Sequence, residues 1–335
     1  MAFSEPAGRC SRVRRPSAKR AAHDFTAPTW QKSDVPKKPG DIVERYRVES
    51  GHGFRLKDFD PDDTGGYGKG FKDEAEALLR AGLDDLQDLQ DMLYAQDRWA
   101  LLLVFQALDA AGKDGTIKHV FSGVNPQGCV VHSFKAPSEQ ELDHDYLWRT
   151  TLRLPERGHI GIFNRSYYEE VLVVRVHPEL LDRQHLPQEL VGKKIWKKRY
   201  RQIRRFEQHL QENGTLVRKF FLHVSKGEQR SRFLERLEHP EKNWKFSQRD
   251  VEERRHWNDY QAAYEDAIAA TATRQSPWYV IPADNKWFTR LMVGAAVIDA
   301  LKTLDLRYPE SDASQKKALR ASYRELAAEE RRRRG

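Results

Sequence analysis

Phe105-Gln-Ala-Leu-Asp-Ala-Ala-Gly112-Lys113-Asp114-Gly115-Thr116-Ile117-Lys118 follows a short apolar run, Ala100-Leu-Leu-Leu-Val104, and opens a helical pattern. A strand, a glycine-bearing turn and a helix N-terminus in that order make a phosphate-gripping loop. Backbone N–H groups wrap phosphate oxygens there, and a lysine reaches the outer phosphates. Against the pattern GxxxxGK[ST] the chain departs twice. Ala107 stands where the first glycine belongs, and Asp114-Gly115 follows the lysine where a magnesium-binding Ser or Thr is expected. The metal then needs another ligand, and Asp109, inside the loop, is the expected substitute. Ala111, Gly112, Asp114, Gly115, Thr116 and Lys118 are the candidate phosphate-binding positions around Lys113, which reads as a surface loop lysine. Taken alone, the run also fits a plain glycine-containing turn.

Outward from this loop, five short apolar runs read as buried strands: 100–105, 129–134, 159–163, 217–224 and 278–282. Helical patterns separate them, and an amphipathic helix precedes them, with Ala75, Leu78, Leu79, Leu83, Leu86, Leu89 and Met92 near helical spacing. Strands alternating with helices predict an α/β fold of three layers, a five-stranded parallel sheet with helices on both faces. Ligands on such sheets bind at the carboxyl ends of the strands, where the loop lies.

A second strand end carries polar groups. His159-Ile-Gly-Ile-Phe163 runs into Asn164-Arg165-Ser166-Tyr167-Tyr168-Glu169-Glu170. A phosphate loop is commonly faced by a strand that supplies a carboxylate for Mg²⁺. Here the first polar position is Asn164, so the carboxylates on offer are Glu169 and Glu170. Arg165 is placed to touch transferring phosphate oxygens bidentately. The competing reading is a helix start with acids in its first turns, which suits the macrodipole.

Two basic segments follow. Residues 193–205 hold eight Lys/Arg and no acid, among them Lys193, Lys194, Lys197 and Lys198. Trp196, Tyr200, Ile203, Phe206 and Leu210 form the apolar stripe of that helix, so the cations are expected on the opposite face, available to a polyanion. The second cluster, Lys226, Arg230, Arg232, Arg236, Lys242 and Lys245, falls between the last two strands, where P-loop kinases carry a mobile helical lid.

Charge is uneven along the chain. Of the net +8, residues 1–40 hold nine Lys/Arg against three acids, and residues 311–335 hold eight against four. Residues 41–310 hold 41 basic and 43 acidic side chains, a net of −2. The body is therefore nearly neutral, with disordered charged tails expected at 1–40 and 311–335. An Arg-rich, acid-poor start also fits an organelle transit peptide. No apolar run reaches the roughly 20 residues of a membrane span, and Cys10 and Cys129 are too few and too far apart for a disulfide framework. These readings predict a cytoplasmic protein without membrane or nucleic-acid partners.

Four motifs in order resemble the family-2 polyphosphate kinases: Leu108-Asp-Ala-Ala-Gly-Lys-Asp-Gly-Thr-Ile117, Phe163-Asn-Arg-Ser-Tyr-Tyr-Glu169, Lys226-Gly-Glu-Gln-Arg-Ser-Arg-Phe233 and Asn243-Trp-Lys-Phe-Ser247. The resemblance runs from about residue 45 to 308. It implies a P-loop kinase domain over 41–310, with a lid at about 226–275, that moves phosphoryl groups between inorganic polyphosphate and nucleotides using Mg²⁺, with Mn²⁺ as a substitute. It assigns Asp109 to the metal, Lys113 to the transferring phosphate and Arg165 to phosphate stabilisation, and makes Arg230, Arg232 and Arg236 lid groups. Asn164 departs from the Asp of many members. With Tyr167-Tyr-Glu-Glu170 and Val173-Val-Arg-Val-His-Pro178, it resembles the subgroup that accepts both nucleoside mono- and diphosphates, and it moves the metal role toward Glu169 or Glu170. The resemblance also implies a homo-oligomer. Two rival readings stay open at this point, an ATP-dependent nucleoside or nucleotide kinase and a nucleic-acid-binding protein with a vestigial P-loop.

Overall fold

The strand that feeds the loop, β2 (Ala100–Ala107), is buried along its whole length, as an apolar run without alternation requires of a central parallel strand. The computed structural model describes residues 39–334. Around β2 lie β1 (Arg47–Val48), β3 (Cys129–Ser133), β4 (Ile160–Asn164), β5 (Thr215–His223) and β6 (Trp278–Pro282), in the order β1-β6-β5-β2-β4-β3. The five expected strands are present and mutually parallel. The sheet nevertheless has six strands: β1 pairs antiparallel with β6 through two residues, too short a run for periodicity to register.

On one face pack α1 (Lys72–Gln96), α2 (Lys113–Val120) and α7 (Lys286–Lys302); α3 (Ile195–Glu212) packs on β5 and on α6 (Trp257–Thr271). Between β5 and α6 run α4 (Lys226–Glu238) and α5 (Gln248–Glu253). The core between the layers holds Leu101, Phe105, Phe163, Phe220, Phe221 and Trp278, all fully buried. From β2 the chain goes out to β3 and β4 on one side and later to β5 and β6 on the other. This reversal opens a crevice at the carboxyl end of β2.

Two expectations about domain limits change. The segment 226–275 expected as a lid is not all separate from the body, because α6 buries Ala263, Tyr264, Ala267 and Ile268 in the main core. Of the expected tail at 311–335, Ala313–Arg334 form a helix, α8, and Gly335 lies outside the described residues. The run contains no Gly or Pro and is rich in Ala, Arg, Glu and Leu, all strong helix formers. Its start is capped reciprocally, since Asp312 Oδ1 accepts from Gln315 N (2.8 Å) and Gln315 Oε1 accepts from Asp312 N (3.0 Å). Of the basic N-terminal tail, residues 1–38 lie outside the described residues, and Pro39 and Gly40 begin a short helix, Pro39–Val43. Among the described residues no helix is long and apolar enough to cross a membrane.

Candidate active site

Between β2 and α2 the backbone adopts conformations that expose its donors. Gly112 has φ 100°, which an L side chain rarely tolerates, and Ala110 takes a left-handed φ of 61°. Every carbonyl from 107 to 112 has a partner inside the protein. Lys113 Nζ donates to Ala107 O (2.7 Å) and Ala111 N to Leu108 O (3.2 Å). Gln229 Nε2 donates to Asp109 O (2.9 Å), Arg232 Nη1 to Ala110 O (3.0 Å) and Ala111 O (2.9 Å), and Thr116 N to Gly112 O (2.9 Å). Among the described residues, no acceptor takes the N–H groups of Asp109, Ala110, Gly112, Lys113, Asp114 or Gly115. Carbonyls held and amides free is the arrangement that binds an anion at a helix N-terminus.

Lys113 is buried, not a surface residue. Burial first, and then the neighbouring Arg165, lower its pKa to about 8. A bound phosphate would push it back up. Asp114 and Gly115 line the cavity above the loop. Thr116 and Lys118 do not: the first is buried beneath α2 and the second faces outward from it. Both lie one turn beyond the N-terminus, where backbone and side chains have rotated away from the phosphate site.

Arg165 sits at the end of β4, where its N–H donates to Phe105 O (3.0 Å) and its φ is 64°. Its guanidinium joins two carboxylates, Asp109 (2.8 Å) and Glu169 (3.2 Å). Their charges, Glu169 first, raise its pKa. Glu169 also accepts from Gln106 (2.8 Å). Asn164 donates to Asp114 (2.6 Å), so its amide closes the gap between β4 and the loop. From α5 comes Asp250, whose pKa is raised by burial and then by Asp109. Glu170 does not join this group. It is buried, ion-paired with Arg199 (3.0 Å) and accepts from Gln184 (2.7 Å), which removes it as a free metal ligand. Among the described residues no three acidic, His or Cys side chains converge as a preformed metal cage. The donor set is nonetheless hard oxygen at Asp109, Glu169 and Asn164. It fits Mg²⁺, which keeps its waters and is held by one or two carboxylates together with substrate phosphates.

Two large cavities meet at Asp109, Arg165 and Asp250, which a third, of only about 30 Å³, also touches. One, of about 650 Å³, lies over the loop and is rimmed by Lys135, Arg236, Lys242, Trp244 and Lys286. The other, of about 690 Å³, is walled by Phe134, Pro137, Leu142, Val173 and Leu180, with Arg149 and Arg183 among its polar groups. Lys193, Lys194, Lys197 and Lys198 line neither. They sit at the start of α3, on a part of the surface separate from the loop, and Arg199 of the same segment faces inward to Glu170. Arg230 is exposed and lines neither cavity. Arg236 does line the first, beside Asp250 (3.7 Å). Arg232 borders the first cavity, but all its nitrogens are engaged by Glu228, Ala110, Ala111, Ala283 and Asp284, so it has no donor left for phosphate. The cations that sequence reasoning missed, Lys135 and Lys286, follow the carboxyl ends of β3 and β6. The strand-end rule, applied to every strand, would have nominated them.

A family model described as Polyphosphate kinase 2 (PPK2) matches residues 70–309. An ADP-polyphosphate phosphotransferase of Rhodopseudomonas palustris is 57% identical over 74% of this chain and 86% of its own length. An AMP/ADP-polyphosphate phosphotransferase of Meiothermus ruber is 48% identical over 82% of this chain and 98% of its own. The crystal structure of polyphosphate kinase 2 from Arthrobacter aurescens superposes with a TM-score of 0.76 at 39% identity, covering 86% of this chain and 98% of that one. By these matches the chain belongs to the polyphosphate kinase 2 family.

Proposed function

We propose that this polyphosphate kinase transfers phosphoryl groups between inorganic polyphosphate and nucleoside mono- and diphosphates, with Mg²⁺, through the two cavities that meet at Arg165. The observation that carries the reading is the loop whose carbonyls are all engaged and whose amides, Ala111 apart, are free, beside a buried lysine. Polyphosphate brings about one negative charge per phosphate and no base to recognise. The cavity rimmed by Lys135, Arg236, Lys242 and Lys286 offers cations to such a chain. The second cavity offers apolar walls to a nucleoside and Arg149 and Arg183 to its phosphates.

The acceptor's terminal phosphate oxygen is already ionised near neutral pH, so transfer needs no general base. What it needs is alignment and neutralisation of charge repulsion. Lys113 and the amides of 109, 110 and 112–115 hold the donor end, and Arg165 lies between donor and acceptor, where charge spreads over the transferring oxygens. Asp109 and Glu169, with Asn164, are the residues that would hold Mg²⁺, which supplies further neutralisation of phosphate charge. On this reading the acceptor's terminal phosphate meets Arg165 whatever number of phosphates lies behind it, so AMP yields ADP and then ATP, and guanine nucleotides are candidate acceptors. Phosphoryl exchange with nucleotides supports a cytoplasmic site of action.

Incubation of purified protein with polyphosphate, Mg²⁺ and AMP, ADP, GMP or GDP in separate reactions tests this. AMP that is never consumed while ADP is converted would confine the enzyme to diphosphates. The rival ATP-dependent nucleotide kinase predicts transfer from ATP to a nucleotide and none from polyphosphate.

A further inference from the structure

We propose that Gln229 and Arg232 of α4 are positioning residues: they hold the 109–111 backbone in its anion-binding conformation and link that conformation to the lid. The inference rests on the reading of the loop as the polyphosphate site.

An anion nest requires successive N–H groups to point the same way, which forces the intervening carbonyls to point elsewhere. Those carbonyls then need donors, because a buried carbonyl without one is costly. In this chain the need is sharper than in a standard P-loop. The first glycine is replaced by Ala107, and Ala110 has a left-handed φ of 61° that an L residue disfavours. The backbone therefore does not hold this shape by glycine freedom alone. What is present is a clamp on three successive carbonyls, with Gln229 on Asp109 O and Arg232 on Ala110 O and Ala111 O.

Both side chains are buried and pre-set for this task. Arg232 Nε is fixed by Glu228 one helical turn back (2.7 Å), and Nη2 is anchored to Ala283 O (2.6 Å) and Asp284 O (3.0 Å) beyond β6. A guanidinium held on five acceptors cannot swing onto a phosphate without releasing the loop. Ser225 caps the start of α4 through Glu228 N (3.0 Å), and Asp284 receives Ser225 N (2.8 Å), so α4 is itself fixed to the end of the sheet. Gln229 has a second partner, because its Oε1 accepts from Arg254 at the end of the lid segment. A lid movement that displaces Arg254 thereby acts on the side chain that holds Asp109 O. Asp109 is also the residue whose carboxylate meets Arg165.

Gln229 is neutral and has no contact with the cavity above the loop, so Gln229→Ala separates positioning from direct phosphate contact. The measurement is binding of inorganic tripolyphosphate and, separately, of AMP, by titration calorimetry at several salt concentrations, on Gln229→Ala and Arg232→Lys. Positioning predicts that each variant binds tripolyphosphate about tenfold more weakly, the loss of one or two directed hydrogen bonds. AMP affinity stays as in wild type, and for Gln229→Ala the slope of log affinity against log salt is unchanged, because no cation was removed. Amide hydrogen exchange at 109–112 rises in both variants. If Arg232 were instead a phosphate contact, Arg232→Lys would keep most of the affinity and Gln229→Ala all of it. That pair of results overturns the proposal. Should Arg232→Lys fail to fold, Gln229→Ala alone decides between these outcomes. A wild-type protein that does not bind tripolyphosphate would refute the polyphosphate reading itself, a failure distinct from variants that bind as wild type does.

Discussion

Glu169 and Glu170 are neighbours in the chain, each paired with an arginine, and they serve opposite ends. Glu169 meets Arg165, whose side chain is 37% exposed, where two cavities join and a second carboxylate, Asp109, shares the guanidinium. Glu170 meets Arg199, whose side chain is 4% exposed, with Gln184 hydrogen-bonded to both partners at the edge of the second cavity. The first pair is open to solvent on a strained backbone, so phosphate and metal can compete for its members. The second is almost fully buried behind the wall of the second cavity, and each partner's burial opposes its charge: the Glu170 pKa is raised and the Arg199 pKa lowered, burial being the first cause in both. Chemistry sits where charges can exchange partners, and structure where they cannot.

The largest effect should come from the open pair. Arg165→Ala is expected to lower the transfer rate about 10³-fold, the range for removing one preorganised electrostatic group, with little change in thermal midpoint. A variant above a tenth of wild-type rate would remove Arg165 from the reaction. Glu169→Gln should lose about 10²-fold and require more Mg²⁺ for half-maximal rate. An unchanged Mg²⁺ titration would assign Glu169 to orienting Arg165 only.

The buried pair should behave in reverse. Arg199→Ala leaves Glu170 buried without its cation and should cost about 3–5 kcal/mol of stability, while the folded fraction keeps its rate. Glu170 already has a raised pKa, and a carboxylate of that kind favours folding less as pH rises through its folded value. The deficit should therefore be larger at pH 8 than at pH 5 in denaturant titrations. A rate loss at full stability would dissolve the contrast between the two pairs.

A smaller effect concerns pH. In the proposed reaction Lys113 binds phosphate as the cation, and its free-enzyme pKa is lowered to about 8. The polyphosphate KM should therefore rise as pH passes 8, while kcat holds to higher pH, because bound phosphate raises that pKa. Burying the charged form costs stability below pH 8, and this cost fades as pH climbs toward the ordinary lysine value. Smallest of all, neutralising Lys193, Lys194, Lys197 and Lys198 together should leave the polyphosphate KM unchanged, since none of them lines a cavity. A rise at low salt would restore them as a track for the chain.

Much of this was legible in the sequence because it depends on local signals. Strand, turn and helix N-terminus are contiguous at 100–118, and the parallel sheet follows from alternation of element types. The rest depends on contacts between distant segments. Glu169 and Glu170 lie in a 3₁₀ turn, Tyr167–Val171, where successive side chains point about 120° apart. Which of them faces the crevice is set by Arg199, about one helix away in the chain. Arg232 has the composition of a phosphate ligand, and only the carbonyls of 110, 111, 283 and 284 show that it is a brace. The helix at 313–334 was readable, through Asp312 and Gln315 at capping spacing, but its high charge pointed to a tail.

The most direct measurement follows phosphorus NMR signals of polyphosphate and ADP with Mg²⁺, for wild type and for a Lys113→Ala variant shown to be folded. Wild type should form ATP while the polyphosphate signal falls by one phosphoryl for each ATP made. The variant should lose at least ~10²-fold in rate, the scale of a lost electrostatic stabiliser. ATP formed without loss of polyphosphate, or a variant that keeps more than about a tenth of the rate, would contradict transfer at the loop.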